Sequence, residues 1–175
     1  YSYGYAKTVD EMKKNDLHHS HWSNPMEVPL PNAPDLKIYC IYGMNNPTER
    51  AYVYKEQNGN SSLNMTIDYE RPHPVYLTEG DGTIPLMTHA ICHKWAEGVS
   101  AYNPGGSNVT IVEIKHQPDR FDIRGGAKSA EHVDILGSAE LNEYILKVAS
   151  GNGDMIEPRL LSNLSQWVNE IPFPL

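Results

Sequence analysis

Leu36-Lys37-Ile38-Tyr39-Cys40-Ile41-Tyr42 is an almost unbroken run of apolar and β-favouring residues, and Gly43 closes it. Continuous runs of this kind are typical of strands that are buried on both faces, as in parallel sheets. A second clear strand lies further along the chain, over Val109-Thr110-Ile111-Val112-Glu113-Ile114. The two runs together predict an α/β fold.

The pattern outside these strands predicts a hairpin and several helices. Apolar and polar residues alternate from Leu63 to Tyr69, and we expect this segment to pair with Arg50 to Tyr54 as a half-exposed hairpin excursion. Helices are predicted from Thr88 to Trp95, from a cap at Ser138 to a stop at Gly151 with Leu141, Ile145 and Val148 on one face, and over about 159–169. Residues 1–34 are rich in proline and predict irregular structure, apart from a short helix from Thr8 to Lys14.

The order of these elements predicts a topology. Strand, excursion, acidic loop, helix, strand, histidine-containing loop and helix match the final third of a doubly wound, mostly parallel α/β sheet. Active-site groups in such sheets lie beyond the carboxyl ends of the strands. Asp81 and His132 both lie in loops with a strand earlier in each segment, so both are candidates for catalysis.

Composition excludes some functions and suggests that more chain is needed. The net charge is −8 and basic residues cluster only in pairs, which excludes a nucleic-acid surface. No run of about 18 apolar residues predicts a membrane span. The 39% apolar content with 13 glycines and 13 prolines suits part of a domain, and the chain has neither an initial methionine nor a Gly-x-Ser-x-Gly nucleophile motif. We therefore expect the C-terminal piece of a larger enzyme.

The residues alone leave the roles of the acid and the histidines open. Asp81 could orient a histidine, but Asp-Gly is also a common turn pair. Either His132 or His116, which directly follows the second strand, could be the base. His89 and His93 have the i, i+4 spacing of metal ligands, but Ala90 stands where a zincin needs glutamate, so we predict no metal site. His18, His19 and His21 predict a solvated loop.

Cysteines and glycosylation sequons bear on the compartment. Cys40 and Cys92 could be buried single thiols or a disulfide, which requires an oxidising compartment. Four Asn-x-Ser/Thr acceptor sequons are a mild excess over chance, and they favour a lumenal or secreted location; they begin at Asn60, Asn64, Asn108 and Asn163.

Several motifs resemble the lecithin:cholesterol acyltransferase family. They are Pro29 to Gly43, Pro47 to Tyr52, Glu79-Gly80-Asp81-Gly82-Thr83-Ile84-Pro85, and Ala130-Glu131-His132-Val133-Asp134-Ile135-Leu136. The likeness covers nearly the whole chain; it is strongest to the branch that uses diacylglycerol as acceptor, and residues 115–136 resemble fungal members in detail. It implies that residues 1–175 are the C-terminal portion of a single α/β-hydrolase-type acyltransferase domain. It also implies that Asp81 and His132, rather than His116, are the catalytic acid and base, and that Cys40 and Cys92 form a disulfide.

The resemblance further implies a reaction. A serine in the upstream part of the same chain would take an acyl group from the sn-2 position of a membrane phospholipid and pass it to diacylglycerol, giving triacylglycerol without a cofactor or metal. Residues 1–175 alone should be inactive. Alternative activities are phospholipase A, sterol acyltransferase, or a non-catalytic lumenal lipid-binding module. The expected location is the lumenal side of the endoplasmic reticulum, with a membrane anchor upstream.

Overall fold

A computed structural model describes Lys14 and residues 29–56 and 65–173. Its strands are β1 (Lys37–Met44), β2 (Asn46–Tyr52), β3 (Tyr54–Glu56), β4 (Met65–Ile67), β5 (Val75–Gly80) and β6 (Asn108–Lys115). Its α-helices are α1 (Ala90–Ala96), α2 (Ala139–Ala149) and α3 (Leu164–Trp167). Single 3₁₀ turns cover Leu86–His89, Gly126–Lys128, Asp134–Gly137, Gly153–Met155 and Val168–Glu170. The predicted helix from Thr8 to Lys14, the histidines at 18, 19 and 21, and the sequons at Asn60 and Asn64 lie outside the described residues, except Lys14 itself.

The two predicted central strands are confirmed, and they pair in parallel. β1 and β6 align from Lys37 with Asn108 to Met44 with Lys115. Because side chains alternate along a strand, each face of this pair enters a different apolar cluster. One cluster holds Tyr42, Met44 and Ile111 with Leu86, Ile91 and Leu164. The other holds Val112, Ile114, Ala130 and Ile156, with Tyr39 and Ile41 packed against it.

The hairpin excursion is only partly as predicted. β3 pairs with β4 in antiparallel fashion, but β2 pairs with β5, with a bulge between Glu49 and Ala51. The assignment of Arg50 to Tyr52 to the same hairpin as Leu63 to Tyr69 was therefore wrong. β5 is short and mostly exposed or half-buried, and it follows Pro72 and Pro74, so its pattern is weak. β5 runs directly into Asp81. The described residues thus form one parallel and two antiparallel pairs, a mixed α/β architecture.

The cap at Ser138, the stop at Gly151 and the shared face of Leu141, Ile145 and Val148 that were predicted for α2 agree with the structure. The hydroxyl of Ser138 accepts a hydrogen bond of 3.2 Å from the Leu141 N–H, and Gly151 adopts a φ of +79° after α2. The apolar face of α2 is nevertheless open, since Ile145 is 49% and Val148 41% exposed. A disulfide joins Cys40 of β1 to Cys92 of α1, with 6.3 Å between the Cα atoms.

The predicted helix over 159–169 was wrong in its first half. Arg159 forms a parallel bridge with Val112 of β6, and the helix begins only at Leu164, with an α-helical turn to Trp167 that continues as the 3₁₀ turn Val168–Glu170. The reason is the carboxylate of Glu113, which is fully buried near the carboxyl end of β6. It accepts hydrogen bonds from the N–H groups of Leu161 (2.5 Å) and Ser162 (2.6 Å) and from the Ser162 hydroxyl (2.6 Å). These bonds hold the segment extended beside the sheet.

No α-helix among residues 29–56 and 65–173 has the length and apolar character that a bilayer crossing needs.

Candidate functional site

Asp81 and His132 are 51 residues apart in sequence, and the fold brings their side chains into contact. The Nδ1 atom of His132 lies 2.8 Å from the Oδ2 atom of Asp81. The two loops are also joined through the backbone, because the His132 N–H donates a 3.0 Å hydrogen bond to the Asp81 carbonyl. Asp81 is buried at 5% exposure, whereas the His132 side chain is 42% exposed. One partner is therefore fixed in the protein and the other is open to a reactant.

The ends of the strands determine where the two loops meet. β1 approaches both loops one residue before its end, at Gly43, where a Cβ atom would lie 2.0 Å from the Ala130 carbonyl oxygen and 3.2 Å from the Asp81 Cβ. Only a residue without a side chain permits this approach. β5 delivers Asp81 from the antiparallel pair, and β6 delivers the chain that returns as Ala130 and His132. Both candidate residues therefore lie beyond the carboxyl ends of strands, where α/β sheets place active sites.

The backbone around Asp81 is organised so that its carboxylate is a hydrogen-bond acceptor. The Oδ1 atom accepts from the N–H groups of Thr83 (2.9 Å) and Ile84 (2.6 Å), which leaves Oδ2 for His132. Gly82 follows with a φ of +93°, and its N–H donates to the hydroxyl of the buried Thr48 on β2 at 2.8 Å. The Asp-Gly pair is therefore a turn and a candidate site at once, which reconciles the two interpretations of the sequence.

These contacts set the charge of the acid. Burial alone would raise the pKa of Asp81, but the N–H groups of Ile84 and Thr83 and the His132 ring outweigh it and hold the pKa below its usual value. Asp81 is therefore ionised at neutral pH and can only accept. It follows that Nδ1 of His132 carries the hydrogen, so its Nε2 is the basic nitrogen of the neutral ring.

Hydrogen bonds to the side chain of Glu131 stabilise the turn that follows His132. The carboxylate of Glu131 accepts hydrogen bonds from the N–H groups of Val133 (2.9 Å) and Asp134 (3.1 Å). These bonds, and to a smaller degree the neighbouring His132, lower the pKa of Glu131 despite some opposing burial and the charge of Asp81. Glu131 thus fixes the turn that begins at His132 without contacting the imidazole nitrogen that faces Asp81.

The other histidines occupy different places. His116 receives a 3.0 Å hydrogen bond at Nδ1 from the Ala130 N–H, so it supports the loop that carries His132 instead of contacting Asp81. His89 stacks on Tyr42 with ring centres 4.2 Å apart, and the Tyr42 hydroxyl lies 3.2 Å from His93 Nε2. Within 29–56 and 65–173, no three His, Cys, Asp or Glu residues gather as a metal-ligand set.

The sequence interpretation missed the residues that hold the pair. Thr48, Gly43 and Asn46, whose side-chain amide donates to the Asp81 carbonyl at 3.3 Å, are all remote from Asp81 in sequence. The clearest sequence signal was Glu113, a charge inside an otherwise apolar strand. It accepts a 3.0 Å hydrogen bond from the Tyr42 hydroxyl and so ties β1 to β6 beneath the site.

Comparison with known proteins places this geometry in context. A sequence model of the lecithin:cholesterol acyltransferase family matches residues 1–139. The chain is 75% identical over its whole length to phospholipid:diacylglycerol acyltransferase of Saccharomyces cerevisiae, and 45% identical over 98% of its length to that of Schizosaccharomyces pombe. Human phosphatidylcholine-sterol acyltransferase is 27% identical over 47% of the chain and 19% of its own length. The chain spans 26% and 28% of the two yeast proteins. No solved structure matches it.

Proposed function

The chain belongs to the lecithin:cholesterol acyltransferase family, and from that premise we propose that it carries the acid and the base of a phospholipid:diacylglycerol acyltransferase. The observation that carries the proposal is the 2.8 Å contact between Asp81 Oδ2 and His132 Nδ1. In Ser-His-Asp chemistry the acid holds the imidazole in one tautomer and stabilises its protonated form. The carboxylate of Asp81 is ionised and buried, and the imidazole of His132 is partly exposed. This charge and this exposure are what the two roles need.

The nucleophile in this proposal is a serine outside residues 1–175. Its hydroxyl proton passes to His132 Nε2 as its oxygen attacks the sn-2 ester carbonyl of a phospholipid. His132 returns that proton to the departing lysophospholipid alcohol, leaving an acyl-serine ester. It then takes the hydroxyl proton of diacylglycerol, whose oxygen attacks the ester to form triacylglycerol, and gives the proton back to the serine. No cofactor enters this cycle.

We also propose that residues 1–175 are the C-terminal portion of one α/β-hydrolase-type domain, with a doubly wound, mostly parallel sheet. Among the described strands β1 pairs only with β6, so its other edge is free to receive a further strand. Beside it, Tyr39 and Ile41 face Tyr144, Ile145 and Val148 of α2 across an open apolar groove of about 500 Å³. An uncovered groove next to an unpaired edge is what a partial sheet leaves behind.

The proposed location is the lumenal side of the endoplasmic reticulum, with a membrane anchor outside this chain. The disulfide supports an oxidising compartment. Asn108 and Asn163, two of the four proposed glycosylation sites, are exposed and could accept a glycan. The substrates, phospholipid and diacylglycerol, are those in the names of the yeast relatives.

The test is to replace Asp81→Asn or His132→Ala in the full-length protein. We expect triacylglycerol synthesis to fall by about 10³-fold or more in each variant, because triad members act as a unit. Asp154→Asn and His73→Ala, at exposed positions, are matched controls that should retain activity. Full activity in Asp81→Asn or His132→Ala would contradict the assigned roles.

The same assay separates the alternative reactions. Parallel incubations offer diacylglycerol, a sterol or water alone as acyl acceptor. Triacylglycerol as the main product supports the proposal, whereas free fatty acid indicates a phospholipase A and sterol ester a sterol acyltransferase. Wild-type protein that binds lipid but forms none of the three is a non-catalytic lipid-binding module.

A further inference from the structure

The loop between β6 and His132 exposes two large apolar side chains completely. We call residues 118–125 the Phe121 loop. Phe121 is 98% exposed and Ile123 106%, more than any other large apolar residue that the structure describes; Val99 follows at 79%. Isolated exposed apolar residues are common, but two fully exposed ones two positions apart form a protruding apolar tip.

This exposure comes from an ordered loop. The Asp119 carboxylate accepts a 3.0 Å hydrogen bond from the Phe121 N–H, and the Asp122 carboxylate a 2.8 Å bond from the Arg124 N–H. The Asp119 N–H donates to the Gly125 carbonyl at 2.8 Å, which closes the loop at its base. Gly125 has a φ of +78°, a left-handed conformation that glycine adopts without strain. The loop therefore holds its apolar tip outward by its own hydrogen bonds.

The acidic and the basic side chains of the loop differ in their contacts. Both aspartates are used as acceptors for the loop's own N–H groups. Arg120 and Arg124 flank the apolar tip and are exposed, and the Arg124 guanidinium lies 3.8 Å from the Asp134 carboxylate. An apolar tip between two arginines complements the surface of a phospholipid bilayer, where phosphate groups border the acyl chains.

The Phe121 loop also lies close to the candidate site. Arg124 contacts Asp134, which is two residues from His132, and the exposed Val133 and Leu136 belong to the same turn segment. A bilayer that received Phe121 and Ile123 would thus bring lipid close to the imidazole.

We propose that the Phe121 loop docks on phospholipid membranes, with Phe121 and Ile123 inserted at the level of the acyl chains and Arg120 and Arg124 at the phosphates. The proposal rests on the proposed function in one respect, namely that the substrates are dissolved in the bilayer. Docking in this way would orient the enzyme with His132 toward the bilayer. The distance that a phospholipid must cross to reach the site would then be short.

The first test reports where residue 121 lies. Phe121→Trp in the full-length protein is reconstituted with phosphatidylcholine vesicles whose acyl chains carry bromine, and the parent protein's fluorescence is subtracted. We expect the added tryptophan to be quenched by the bromine and shielded from aqueous iodide. The matched control is Val99→Trp, at an exposed apolar site outside the loop, which should be quenched by iodide only.

Either other result at residue 121 overturns the proposal. Quenching by iodide alone places the tip in water, and shielding from both quenchers places it against the rest of the protein. Neither result depends on acyl transfer, so the docking proposal can fail while the proposed function holds, and the reverse.

The second test concerns catalysis. We expect Phe121→Ser/Ile123→Ser to raise the KM for vesicle-embedded phospholipid by about tenfold or more, the effect of removing two inserted apolar side chains. Cleavage of a dispersed short-chain ester should be unchanged, and Val99→Ser should change neither activity. An unaltered KM on vesicles, or an equal loss on both substrates, contradicts a docking role.

Discussion

His89, near the candidate pair, is a half-buried histidine with a buried ring nitrogen. It stacks on Tyr42, and its buried Nε2 has no hydrogen-bond partner among the described residues. Burial lowers the pKa of His89, with a further contribution from His132 and His93, although the carboxylates of Asp81 and Glu113 oppose the shift. The ring is therefore neutral in the folded protein at neutral pH.

This lowered pKa predicts a pH dependence of stability. In the unfolded chain His89 has its ordinary pKa of 6.5 and is protonated below it, whereas the folded protein keeps the ring neutral to a lower pH. The contribution to stability is thus complete above about pH 6.5 and is lost as the pH falls toward the folded-state pKa. We expect His89→Phe, which keeps a ring against Tyr42 but cannot titrate, to show a flatter decline in unfolding free energy between pH 7 and 5.

The measurement is urea unfolding of the full-length protein across that range. His73→Asn, at an exposed histidine, is the control. Since the pKa of His93 is also lowered by burial, part of the slope should persist in His89→Phe. A slope identical to that of the parent protein would contradict the assignment.

At the same scale, the residues alone made Asp81 a candidate acid and left the choice between two candidate bases open. His116 and His132 both follow β6, and only the return of the loop through Ala130 decides which one reaches Asp81. That return depends on the close approach at Gly43 and on the hydrogen bond from the Ala130 N–H to His116. Such long-range contacts leave no periodic signal, so family resemblance was needed to favour His132.

At the level of elements, the strongly patterned segments were predictable. β1 and β6 are continuous apolar runs, and α2 is a capped amphipathic helix. Both patterns can be recognised from the local sequence alone. β5 and the segment 159–163 were not, because each depends on partners distant in sequence. The local sequence predicts that a helix begins at Arg159. Instead, the N–H groups of Leu161 and Ser162 donate hydrogen bonds to the buried carboxylate of Glu113.

Glu113 therefore yields a prediction about elements. Its carboxylate accepts from Tyr42 of β1, from Leu161 and twice from Ser162. We expect Glu113→Gln to destabilise the full-length protein by about 2–4 kcal/mol, since an amide cannot accept at both ends and leaves buried donors unpaired. Amide hydrogen exchange at Leu161 and Ser162 should accelerate more than exchange elsewhere in β6.

A suitable control is Glu97→Gln, which breaks an exposed pair with Lys94 of 2.7 Å and should cost less than about 1 kcal/mol. If Glu113→Gln cost no more than the control, the carboxylate would not be what holds the C-terminal segment to the sheet.

For the whole molecule, the open face of α2 is the feature that remains to be explained. Helix α2 is capped, correctly bounded and amphipathic, yet Ile145 and Val148 are 49% and 41% exposed. With Tyr39 and Ile41 of β1 they line the apolar groove, next to the edge of β1 that no described strand pairs with. The local sequence correctly predicts an apolar face on α2, and in the proposed single domain chain outside residues 1–175 covers that face.

The proposed single domain makes this face internal, and that can be measured. In the full-length protein we expect Ile145→Ser and Val148→Ser each to lower the free energy of unfolding by about 2 kcal/mol, the effect of placing a hydroxyl in a covered apolar contact. Leu146→Ser is the matched control, since Leu146 is 69% exposed on the same helix but does not line the groove. It should change stability by less than about 0.5 kcal/mol. If all three substitutions changed the free energy of unfolding by the same small amount, the groove would be open in the complete protein. The proposal that the sheet continues past β1 would then be wrong.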